Sequence, residues 1–183
     1  MSENSHASHI KYCLESDFEI IEQVRGLHLI ENEKVKIDLM IRPKSHLIAA
    51  GFDDCWVGVE VKFFRDPVRQ IGKVARLLWQ SITYRQSEYD IGGLKVRPQF
   101  VLMASNIYSD TVEEEELRKM YRPTLQVANL AMVGLLEAAD KNNWNISFVS
   151  SGYMRKKHGI LHRTNTSAGR GSYIGNSARK RKR

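Results

Sequence analysis

Glu60 and Lys62 stand two residues apart in "WVGVEVKFF", residues 56–64, the most apolar run of the chain. An extended backbone puts both on one face with Trp56, Gly58 and Phe64, and leaves Val57, Val59, Val61 and Phe63 on the other. A carboxylate on a half-buried sheet is costly unless something offsets its charge. A second acid, Asp38, lies in "VKIDLMI", residues 35–41. There Val35, Ile37, Leu39 and Ile41 are expected on one face, and Lys36, Asp38 and Met40 on the other. If the two strands pair, both carboxylates and the lysine converge on one spot. Two carboxylates together become tolerable when a divalent cation binds between them. Mg²⁺ takes hard oxygen ligands and keeps several waters, so two carboxylates, one backbone carbonyl and a phosphate oxygen suit it. A cation so held lowers the pKa of a water and neutralises charge on a reacting phosphate. Lys62 is then placed to orient that water or to stabilise the developing charge.

The elements that must position these residues are legible in outline. "SDFE" at 16–19 has capping-box spacing and predicts a short helix from Asp17 to about Val24. "GLHLI" and "VKIDLMI", joined by "ENEK", read as a hairpin. After Pro67 the period becomes helical, with Ile71, Val74, Ala75, Leu78 and Ile82 as an apolar stripe. Arg69, Lys73, Arg76, Gln80 and Tyr84 fall on the opposite side, and Trp79, between the two, reads as core. "FVLMAS" (100–105) is a short buried strand, "TVEEEELRKMY" a helix with acids in its first turn, "LQVANLAMVGLLEAA" a buried helix, and "WNISFVS" a last strand. Strands and helices alternate, which predicts an α/β domain with a mixed sheet flanked by helices.

Charge is distributed unevenly. All 21 acidic residues lie in 1–150 with 18 of the 28 Lys and Arg, whereas 151–183 hold the other 10 basic residues and no acid. The formal +7 therefore resides in the C-terminal segment, which ends in "ARKRKR" and seeks polyanions, nucleic acid first among them. Residues 1–12 are expected to be disordered, 13–150 to form the domain, and 151–183 to be a basic extension, flexible from about 164. No apolar stretch approaches the ~20 residues of a membrane span, and "MSENSHASH" lacks a signal peptide's apolar region. Two cysteines, Cys13 and Cys55, make no disulfide or metal framework, so a reduced, cytoplasmic protein is expected.

Asp38, a gap of 21 residues, then Glu60-Val61-Lys62 resembles the signature of the PD-(D/E)XK nuclease superfamily. "QSITY", with Gln80 and Tyr84, resembles the Q-x-x-x-Y helix of its RecB and lambda-exonuclease-like branch. The likeness covers roughly residues 15–105 and implies a restriction-endonuclease-like core. It implies Asp38, Glu60 and the Val61 carbonyl as metal ligands, Lys62 as the group serving the water, and Gln80 and Tyr84 as supports. In that branch an acid on the first helix joins the metal site; Glu22 is the best-placed match, with Glu19 and Glu15 as alternatives. Ile37 replaces the usual proline before the first acid, and two cysteines cannot hold the iron–sulfur cluster found in some members.

The reading is a small Mg²⁺-dependent nuclease, with Mn²⁺ able to substitute, hydrolysing the phosphodiesters of DNA, with RNA as the alternative polymer. An endonuclease is favoured because nothing resembles a motor or processivity domain. Double-strand cutting by one small domain would imply a homodimer. Arg69, Lys73, Arg76, Arg155, Lys156, Lys157 and the terminal Arg179, Lys180, Arg181, Lys182 and Arg183 are the expected phosphate contacts. The rival is a nucleic-acid-binding protein on the same fold without chemistry. His158 and His162 have i, i+4 spacing but no third zinc ligand, and "GRGSYIG" lacks the G-K-[ST] of a phosphate loop.

Overall fold

Valine at alternate positions makes residues 57–62 a strand buried on both faces, and its neighbours decide the sheet. The computed structural model describes residues 3–65, 71–106, 126–148 and 151–163. In chain order the elements are α1 (Glu3–Leu14), β1 (Phe18–His28), β2 (Lys34–Pro43), α2 (Ser45–Ala49), β3 (Val57–Lys62), α3 (Ile71–Arg85), β4 (Ser87–Ile91), β5 (Leu94–Val96), β6 (Val101–Ser105), β7 (Val133–Asp140), β8 (Asn143–Phe148), β9 (Ser151–Lys157) and β10 (Ile160–Arg163). The strands form one sheet in the order β10-β9-β8-β7-β6-β3-β2-β1-β4-β5. β3–β6 and β6–β7 are parallel and every other pair is antiparallel, so the protein is α/β with a large mixed sheet. Among the described residues no helix is long and apolar enough to cross a membrane.

Each face of the sheet carries its own core. Ile10 and Leu14 of α1 and Leu47 of α2 pack on Leu39, Ile41, Val57, Val59, Val61 and Leu102. Val74, Leu77, Leu78 and Tyr84 of α3 pack on the other face, over Ile37, Met40, Val101 and Met103. Gly58 leaves room there for the Ile37 side chain: a Cβ would lie 2.6 Å from Ile37 Cδ1, which would have to move aside.

The strict alternation expected of β2 does not hold. Ile37 joins Met40 on the α3 face while Leu39 and Ile41 point to α1. β1 breaks at the same rung: Ile20 faces α1, yet Val24, of the same parity, faces α3. The register pairs Glu22 with Leu39 and Val24 with Ile37, so both slips fall between them, at Gln23 and Asp38. Gln23 has φ +54°, a left-handed conformation that an L side chain adopts at a cost, and it is this residue that reverses the faces.

Four expectations are corrected. Residues 3–14 form α1 rather than a disordered end, because Ile10, Cys13 and Leu14 are buried against the sheet. "SDFE" opens a strand, not a helix: Asp17 does not cap but accepts hydrogen bonds from Trp144 Nε1 at 2.8 Å, His46 Nε2 at 2.9 Å and Lys156 Nζ at 2.9 and 3.0 Å. Among the described residues the expected buried helix after Pro123 is helical only at 126–130, and Val133–Asp140 is a strand. Gly134 sets that strand against its neighbour, since a Cβ there would lie 2.8 Å from the Ser147 carbonyl oxygen. Finally, residues 151–163 extend the sheet as the β9–β10 hairpin instead of beginning a tail. The expected helix "TVEEEELRKMY" and the tail from 164 lie outside the described residues.

Candidate active site

The break in β1 and β2 is what builds the site. The β2–β3 ladder pairs Leu39 with Val59, Met40 with Gly58 and Ile41 with Val57; the next rung, Asp38 opposite Glu60, is not part of it. Asp38 turns its carboxylate into the opening instead. Oδ2 accepts the Val61 N–H at 2.9 Å, and Oδ1 accepts the Gln23 amide at 3.1 Å. The N–H and C=O of a strand residue share an edge, so the Val61 carbonyl is directed to the same gap as its N–H.

Glu60 is 2% exposed, with Oε1 3.1 Å from Lys62 Nζ. Its Oε2 is buried and receives no hydrogen bond. Burial above all, and then the Asp38 charge, push the Glu60 carboxyl up to about 8 against the opposing pull of Lys62. A proton held between the two carboxyl groups relieves this arrangement, and Lys62 offsets it in part. Lys62 also pairs with Glu3 Oε1 at 3.1 Å. Burial lowers the Lys62 pKa, but Glu60 and Glu3 together raise it above its ordinary value, so the group is an ammonium. Tyr84 is raised by burial and by the charges of Glu60 and Asp38, which keeps its hydroxyl protonated beside the pair.

Asp38, Glu60, Val61, Lys62 and Tyr84 are thus brought together. Gln80 stands one turn before Tyr84, and its buried Oε1 has no partner. The helix carrying them is turned by about 80° from the orientation expected. Its core face is Val74, Leu77, Leu78, Ser81 and Tyr84, while Ala75 is exposed and Trp79 is 62% exposed. Tyr84 therefore approaches the carboxylates from inside the core, not from a wet face.

Glu22 is not part of the site. It lies on β1, opposite Leu39 on the α1 side, and pairs with Lys11. Glu15 is held by Lys141 at 2.6 Å, and Glu19 is exposed on β1. The acid that α1 does bring to the cluster is Glu3. Its "SENSHASH" context reads as a loose terminus, and only the apolar spacing of Ile10, Cys13 and Leu14 hints at a helix. Gln23 was equally hidden, since no composition or period marks a φ reversal at glutamine. Its replacement by glycine removes both strain and hydrogen bond. The expected result is unchanged or higher melting temperature with metal affinity or turnover reduced about tenfold or more, the usual cost of losing a group that orients a ligand. A parallel fall in stability and activity would mean that Gln23 only holds the hairpin.

Of the expected phosphate contacts, Lys73 and Arg76 are exposed on α3, and Arg155 and Lys157 are exposed on β9. Arg69 and the terminal Arg179–Arg183 lie outside the described residues. Lys156 is corrected: its side chain is 12% exposed and committed to Asp17. Burial pushes the Asp17 carboxyl up, but the hydrogen bonds from Lys156, Trp144 and His46 outweigh it and hold its pKa below the ordinary value. Lys156→Ala leaves a buried acid without its cation and should cost about 3–5 kcal/mol. Arg155→Ala and Lys157→Ala should stay within about 0.5 kcal/mol. Urea unfolding of the three variants checks this, and equal values for all three would place Lys156 back on the surface.

No family model matches the chain, and no curated protein or solved structure matches it.

Proposed function

We propose that the protein is a small metal-dependent nuclease of the PD-(D/E)XK type, hydrolysing nucleic-acid phosphodiesters at the Asp38–Glu60 pair. The observation that carries this is the buried Glu60 carboxyl, its Oε2 without a hydrogen-bond donor, beside the Asp38 carboxyl where the β2–β3 ladder stops. A structural ion pair does not need such an arrangement, and a divalent cation fits it. Asp38, Glu60 and the Val61 carbonyl would hold the cation. Two carboxylates and one carbonyl leave room for waters and phosphate oxygens, as Mg²⁺ or Mn²⁺ requires. When bound, the cation supplies a nucleophilic water and offsets phosphate charge. Lys62, an ammonium, donates to the water or to a phosphoryl oxygen and does not act as a base. Tyr84 stays protonated beside the carboxylates, and Gln80, whose buried Oε1 has no partner, is free to complete the shell. The order β6-β3-β2-β1, with α3 after β3, also supports a restriction-endonuclease-like core.

One observation favours the rival reading, a nucleic-acid-binding protein without chemistry. Among the described residues no group of three or more His, Cys, Asp or Glu is assembled for a metal. Calorimetric titration with Mn²⁺ separates the two. The nuclease reading requires binding that Glu60→Gln and Asp38→Ala each remove, and saturable binding untouched by both variants would place the cation elsewhere.

A further inference from the structure

Trp79 presents a large apolar ring to solvent on a helix whose fifteen residues, 71–85, include no acid. At 3.6 residues per turn, Lys73, Gln80 and Tyr84 fall within roughly 40° of one another, on the flank that Tyr84 turns to the carboxylates. Arg76 lies roughly 40° farther round the helix, and Trp79 roughly 60° beyond Arg76. Lys73 and Arg76 are exposed, and neither has an ion-pair partner among the described residues. Along the helix axis from Tyr84, Arg76 lies at about 12 Å and Lys73 at about 16.5 Å, so the two cations lead away from the site past an exposed indole. Trp79 and Tyr84 are separated by about 7.5 Å along the helix axis.

An apolar peptide would satisfy the indole but not the cations, and a duplex would satisfy the cations but hide its base faces in the stack. A single strand offers both phosphates and free π-faces. We propose that Trp79 is a stacking platform for an unpaired base of a single-stranded nucleic-acid segment, with Arg76 and Lys73 holding the phosphates that lead away from that base along the helix. The inference rests on the nuclease reading and narrows it: the substrate carries a single-stranded stretch, whether as a free strand, a flap or a branch. Arg76 and Lys73 give affinity without sequence preference, and Trp79 discriminates paired from unpaired DNA.

The test uses the full chain without divalent cations, so that nothing is cut, and two labelled probes, an oligothymidylate and a blunt duplex of equal length. Trp79→Ala should weaken oligothymidylate binding about tenfold and duplex binding by less than about twofold. Trp79→Phe should recover most of the loss, because phenylalanine retains a stacking face. Because the side chain is exposed, neither variant should shift the melting temperature. Equal weakening of both probes, or of neither, overturns the inference alone. Loss of self-association as the only effect of Trp79→Ala would assign the ring to a second copy of the chain and also overturn it. Wild-type protein that binds neither probe overturns the inference together with the reading on which it rests.

Discussion

Replacing Glu60 with glutamine should abolish cleavage and, in the absence of metal, make the protein more stable at pH 8 than the wild type. The first effect follows from removing one of two anions that hold the cation, and should be at least about 10²–10³-fold in turnover. DNA binding should survive, because Lys73, Arg76, Arg155 and Lys157 are untouched. The second effect follows from linkage. The folded protein raises the Glu60 pKa from its ordinary 4.5 to about 8, so between these values the folded state holds a proton that the unfolded chain releases. Its contribution to stability is complete below about pH 4.5, declines as pH rises, and is lost by about pH 8. The slope is at most about 1.4 kcal/mol per pH unit. Glutamine is neutral throughout and removes the slope. Mg²⁺ or Mn²⁺ favours the ionised pair, so adding either at pH 8 should stabilise the wild type and leave Glu60→Gln unchanged. Denaturant unfolding at pH 5 and pH 8 checks this, and a wild-type stability that does not fall between them would show that the carboxyl is ionised and satisfied without a metal.

Lys62→Ala should lower turnover by roughly 10²-fold or more while changing metal affinity much less. The side chain is fixed between Glu60 and Glu3, each at 3.1 Å, which places a compact ammonium at the mouth of the carboxylate pair. Lys62→Arg should restore only part of the activity, because a planar fork does not reproduce that geometry. Single-turnover rates at saturating Mg²⁺ separate the chemical step from metal binding. If Lys62→Ala cleaves at the wild-type rate, the lysine serves only to offset the charge of Glu60.

Sequence periodicity identified β2, β3, β6 and the turn end of the β1–β2 hairpin because their apolar residues are held by immediate strand neighbours, while most of β1 reads as a helix. It also brought Asp38, Glu60 and Lys62 to one place, since that inference needs only two paired strands. What escaped it was set by tertiary contacts. Glu3 and α1 are masked by a polar, serine- and histidine-rich sequence whose helix forms by burying one apolar edge against the sheet. "LLEAA" carries good helix formers but is drawn into the sheet beside β6 and β8, where Gly134 permits close approach. The face reversal at Gln23 and Asp38 depends on a single backbone conformation that no pattern reports. Tyr84 and Trp79 changed places for a related reason. A tyrosine facing buried carboxylates occupies a core position that hydrophobicity alone assigns elsewhere, and the indole is left to solvent.

The most direct measurement is cleavage itself. Purified wild-type protein, Asp38→Ala and Glu60→Gln would be incubated with single-stranded, linear, supercoiled and branched DNA in Mg²⁺, in Mn²⁺ and in chelator, with products resolved on native and denaturing gels. The nuclease reading predicts cation-dependent cutting of at least one substrate by the wild type, none in chelator, and none by either variant although both still bind. DNA bound but left intact by the wild type with either cation, or cutting that persists in both variants, would contradict it.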